Sequence, residues 1–86
     1  MNAKEAALFL KLGETNLETD TASILEAVNT PKVTRRYIAG LYGIAIRYDF
    51  GQTDWKQVNE AIIARWSLSG LKWIKRLAWS AVENAG

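Results

Sequence analysis

From Trp55 to Val82 the chain carries two successive stretches whose apolar residues recur at helical spacing, and no other feature limits the possible folds so strongly. At about 100° per residue, "WKQVNEAIIARW" places Trp55, Val58, Ile62, Ile63 and Trp66 on one face, with Lys56, Gln57, Glu60 and Ala64 opposite. After the break "SLSG", Leu71, Trp73, Ile74, Leu77, Ala78, Ala81 and Val82 fill an arc of about 180° on a second helix. Two such faces predict a tryptophan-rich helical hairpin from Asp54 to Asn84. Thr53 or Asp54 is the expected cap of its first helix, and Ser67 or Ser69 that of its second. Trp55, Trp66 and Trp73 are thereby accounted for as core. Asn59 interrupts the first stripe, either as a buried amide bonded to a neighbouring backbone or as a polar contact to a partner.

Upstream, the apolar residues Ala6, Leu8, Phe9, Leu10 and Leu12 nearly encircle a short helix that Gly13 would end. Asp20 can cap a second helix in which Ile24, Leu25 and Val28 share a face. "NTPKV" then predicts a helix start, with Thr30 as cap and Pro31 at the first position, where a missing N–H costs nothing. The stretch from Val33 to Phe50 carries two periods at once. As a helix, Val33, Tyr37, Leu41, Ile44 and Tyr48 form a stripe; as a strand, Tyr42, Ile44, Ile46, Tyr48 and Phe50 alternate without a fault. The helix is preferred because an isolated strand has no evident partner, even though Gly40 and Gly43 weaken it by about 1 kcal/mol each. The expected fold is a single all-α domain over residues 1–86, a compact bundle of four to five short helices. An α+β fold with a strand at 42–50 is the alternative.

Composition narrows the chemistry. The chain has neither Cys nor His, which removes disulfides, thiolate nucleophiles, imidazole bases and the usual structural zinc sites. Asp49, Asp54 and Glu60 have no spacing that pairs two carboxylates, and "AGLYG" lacks the Lys and Ser/Thr of a phosphate-binding loop. The expectation is a non-enzymatic protein with no metal and no cofactor. The longest uncharged apolar run, Ile38 to Ile46, is too short to span a bilayer, and the apolar run near the N-terminus is broken by Lys11. A cytoplasmic, soluble protein with no membrane span is expected.

A net charge of +2 conceals a polarised chain. Residues 1–30 sum to −3 and residues 31–79 to +6. The second hairpin helix concentrates this charge: the arc left over from its apolar face runs through Lys75, Trp79, Lys72, Glu83, Arg76 and Ser80. Trp79 therefore sits among cations, unexplained by the amphipathicity of its own helix. Lys72, Lys75, Arg76 and Trp79 would form a basic patch with an aromatic platform, suited to phosphates and an unstacked base. Arg35, Arg36 and Arg47 would extend that surface if the preceding helix lies alongside. The bland reading is a Trp79 packed beneath another segment or lying under its neighbours' alkyl stems.

The two helices around "SLSG" also resemble the helix-turn-helix of DNA-binding proteins, between about Ile62 and Ala81, with Gly70 as the turn glycine. The resemblance implies a second helix that enters the major groove. The sequence departs from that motif at Trp66, where a small residue should stand, and at Arg76 and Trp79, where buried apolar residues should. The expected function is nucleic-acid binding through the basic, Trp-containing face. The alternative is a protein-interaction module, self-associating or capping a partner, anchored by an exposed Trp79.

Overall fold

The computed structural model describes residues 19–48 and 50–84, and these are mostly helical with no strand among them. Helix α1 spans Thr21–Val28, α2 Arg35–Arg47 and α3 Gln52–Asn84. The described residues thus make three helical elements rather than four or five, because both helices of the expected hairpin run together as α3. The short helix expected to end at Gly13 lies outside the described residues.

Asp20 caps α1 as its sequence position implies. Its carboxylate accepts the Ser23 amide N–H at 2.8 Å, and that bond holds the Asp20 carboxyl below its ordinary pKa. At the other end, Asn29 Nδ2 donates to the Leu25 carbonyl and Thr30 Oγ1 to the Glu26 carbonyl, each at 2.9 Å. Thr30 therefore finishes α1 instead of starting α2. Pro31 and Lys32 form a turn, with Lys32 left-handed at φ 67°, and the cap of α2 is Thr34, whose hydroxyl accepts the Tyr37 N–H at 3.0 Å. "NTPKV" does separate two helices, but the second begins at Arg35 because the left-handed Lys32 cannot belong to it.

Helix α2 is buried at every position from Ile38 to Ala45, so it is covered on all sides and forms the centre of the molecule. This settles the competition between periods. A helix enclosed all round needs apolar or small residues on every face, and such a run also satisfies the alternation of a strand. Gly40 and Gly43 are among the buried positions.

Helix α3 starts at Gln52, with the Trp55 N–H bonded to the Gly51 carbonyl at 3.1 Å. Thr53 and Asp54 therefore lie in its first turn and are not caps; Asp54 still suits the positive end of the helix dipole. Within α3, Ser67 alone leaves helical geometry, at φ 69° and ψ 176°. A straight helix of 33 residues would be about 50 Å long, whereas the longest dimension of the molecule is 30 Å. The bend therefore divides α3 into a first arm, 52–66, and a second arm, 68–84, that fold back on each other.

Contacts fix the direction of each arm. Tyr42 meets Trp55 with ring centroids 4.7 Å apart, Phe50 meets the same indole at 5.2 Å, and Arg65 Nη1 donates to the carbonyls of Val28 and Thr30 at 2.7 and 2.9 Å. The first arm consequently runs antiparallel to α2 and ends at the C-terminus of α1, whose negative dipole end takes the guanidinium. The second arm runs parallel to α2: Arg35 lies over Trp73 and Ile44 packs with Ala81. The core between them is Ile24, Val28, Ile38, Leu41, Ile62 and Ile74, all essentially inaccessible to water. Asn59 is partly buried and accepts the Tyr42 hydroxyl at 2.7 Å, so its polar position is satisfied within the fold, by a side chain and not by backbone.

Candidate nucleic-acid interface

The second arm of α3 buries Gly70, Leu71, Ile74, Ala78 and Ala81 and leaves its opposite side in solvent. Along that side Leu68, Lys72, Lys75 and Trp79 follow one another at i, i+4, i+7 and i+11, a single stripe on a helix, with Arg76 beside it. All five are exposed. Trp79 retains 48% of its accessible surface and Leu68 53%, so neither is held in the core. The stripe from Leu68 to Trp79 rises about 16 Å along the arm.

Among the described residues, Lys72, Lys75 and Arg76 form no ion pair and no side-chain hydrogen bond. Their charges face water at the end of flexible stems mounted on a helix whose other face is locked into the core. Glu83 is the one acidic side chain of this arm, one turn beyond Trp79. The surface is thus cationic with an indole inside it.

The three arginines outside the arm fare differently. Arg35 is brought to the arm, its guanidinium carbon 5.1 Å from the centre of the Trp73 ring, a cation–π geometry. Arg36 and Arg47 are exposed on α2, and among the described residues no hydrogen bond, ion pair or ring contact joins them to the stripe.

Trp73, expected in the core, is 38% exposed, and so is Ile63 on the first arm. Both corrections have one cause. Each residue stands at the margin of its helix's apolar arc, while Ile74 and Ala81 at the centre of the second arm's arc are buried. Trp73 nonetheless acquires a role at the margin, since Arg35 covers its ring and links α2 to the edge of the basic face.

The helix-turn-helix resemblance does not extend to the turn. That motif joins its helices through a turn of about three or four residues, whereas here Ser67 alone separates the arms. The small residue that lets the arms approach is Gly70: a Cβ there would overlap the Trp66 Cβ. Arg65 is invisible as an anchor in the sequence, because its acceptors are carbonyls more than thirty residues away. Leu68 is within reach of sequence reasoning, by extending the Lys72–Trp79 spacing back by one turn.

No family model matches the chain, and comparisons with curated proteins and with solved structures find no match.

Proposed function

We propose that the protein is a non-enzymatic nucleic-acid binder that uses the solvent face of the second arm of α3. The observation that carries this reading is the exposure, on one side of one anchored helix, of three cations without ion-pair partners among the described residues together with a half-exposed indole. Lys72, Lys75 and Arg76 neutralise phosphates, and Trp79 stacks on an unpaired base. Arg35, beside Trp73, adds a fourth charge at the edge of the face, and Arg36 and Arg47 widen the electrostatic footprint from α2. Base reading is slight, because no Asn or Gln on the stripe supplies paired donor and acceptor groups.

Fluorescence anisotropy with labelled single-stranded and duplex oligonucleotides, at about 50 and 200 mM salt, tests this. Three to four phosphate contacts on a single strand lower the association constant by about 20–50-fold over that interval. Trp79→Ala weakens single-strand binding more than duplex binding. Absence of binding at the lower salt refutes the proposal.

One observation favours a second reading. Leu68 and Trp79, both exposed, lie on the same stripe with lysines between them, as an apolar anchor with a charged rim would in a protein interface. Binding to a protein through this stripe depends on Trp79 and Leu68 and changes little with salt, which separates it from phosphate binding.

A further inference from the structure

Ser67 combines two features that do not ordinarily coexist. Its φ of 69° and ψ of 176° lie in a region that is essentially reserved for glycine, yet the residue carries a side chain and is flanked by helix on both sides. No loop relieves it: helical geometry runs up to it and resumes directly after it. The same bend presses Gly70 against Trp66 so closely that no β-carbon fits. In a continuous helix, side chains four residues apart have Cβ atoms about 5–6 Å apart, so that pinch would vanish. One residue's backbone torsions therefore stand between the bent α3 and a single straight helix, and the strain at Ser67 favours the straight form.

Straightening alone would be ruinous, because it carries Leu71, Ile74, Ala78 and Ala81 out of the core and into water. The surface shaped to receive them is the one they leave, made by α1, α2 and the first arm. Only a second copy of this chain offers that surface again. We infer that Ser67 is a hinge through which two copies exchange their second arms, each with α3 extended to about 50 Å, forming a domain-swapped dimer that rebuilds the core contacts of the closed monomer except those at the bend itself. The stripe from Leu68 to Trp79 stays in solvent throughout, so the dimer carries two basic faces. Intramolecular closure has the advantage of effective concentration, which keeps the monomer dominant in dilute solution and makes exchange a function of protein concentration.

The chain has no cysteine, which allows a direct test. Ile44 and Ala81 pack together, so Ile44→Cys with Ala81→Cys places a reporter pair across the contact between α2 and the second arm. In the closed form an oxidised pair links one chain to itself; in the swapped form it links two chains. The pair is introduced into the full-length protein beside Ser67→Ala, which tolerates the positive φ worse and favours continuous helix, and beside Ser67→Gly, which tolerates it freely. After refolding from denaturant at high protein concentration, non-reducing electrophoresis and light scattering are expected to show at least about tenfold more covalent dimer for Ser67→Ala than for Ser67→Gly. Should Ser67→Ala not fold, the reporter pair in the otherwise unaltered protein decides: a covalent dimer that grows with refolding concentration supports exchange. A self-linked monomer at every concentration, or equal dimer with Ser67→Ala and Ser67→Gly, overturns it.

Discussion

Tyr42 and Asn59 offer the sharpest probe of how the arms are held around α2. The Tyr42 side chain is 3% exposed, its ring packs against Trp55, and its hydroxyl donates to Asn59 Oδ1 at 2.7 Å. Tyr42→Phe keeps the ring and its packing but removes the donor, leaving a partly buried carbonyl oxygen unpaired. The cost is one hydrogen bond plus some of the desolvation of that oxygen, about 1–2 kcal/mol. In a domain of this length each kcal/mol lowers Tm by about 4–8 °C, so the variant should melt about 4–16 °C below the parent. Asn59→Leu, which orphans the hydroxyl instead, should cost a similar amount. The double variant should cost about 1 kcal/mol less than the sum, because neither polar group remains to be left unsatisfied. Urea denaturation monitored by far-UV circular dichroism gives all four corners of the cycle. Additive single effects, or a Tyr42→Phe protein as stable as the parent, would refute the claim that this bond joins α2 to the first arm.

The same tyrosine has a signature in alkali. Burial pushes the Tyr42 phenol up from 10.0 to about 12, so the folded state favours its neutral form. That contribution to stability is complete below pH 10 and is lost as the pH rises through 10 to 12. Phenolate absorbance of the parent minus that of Tyr42→Phe should rise near pH 12 in the folded protein. A difference centred near pH 10, the ordinary value of the phenol, would contradict the burial.

Thr34→Ala removes the cap of α2 and should cost about 1 kcal/mol, with Thr30→Ala costing less, since Thr30 only bonds a terminal carbonyl of α1; thermal melts of the two variants distinguish the observed helix start from the one suggested by Pro31. Ile74→Ala should cost about 2–5 kcal/mol because Ile74 is fully buried, while Trp79→Ala on the same arm should leave Tm nearly unchanged, and equal destabilisation would mean that Trp79 belongs to the core.

Local chemistry is legible where one residue acts on its near neighbours. Asp20 as a cap, the break after Trp66 and the outward stripe of Lys72, Lys75 and Trp79 all come from spacing along a helix. Trp73 and Ile63 depart from expectation because a residue at the edge of an apolar arc is buried or exposed according to how far the neighbouring elements reach around it, which no helical projection contains. The strand-like alternation over Tyr42 to Phe50 misleads for a related reason: α2 is enclosed on every side, and a run without a polar face has no period to read. Arg65 binding the end of α1 depends on how the first arm lies along α2, and the fit of Gly70 against Trp66 depends on the bend at Ser67; neither is written in local spacing.

The cations of the second arm, and not the general positive charge of the chain, are proposed to hold a nucleic acid. The measurement that tests this most directly is the dependence of the association constant on salt for a single-stranded oligonucleotide. It compares the parent with the triple variant Lys72→Gln, Lys75→Gln, Arg76→Gln and with the α2 double variant Arg36→Gln, Arg47→Gln. Removing one phosphate neutralisation on a single strand should reduce the logarithmic salt slope by about 0.7, so the triple variant should fall by about 2 units, while the α2 variant should change little. A triple variant that binds with the parent's affinity and the parent's slope would contradict the account.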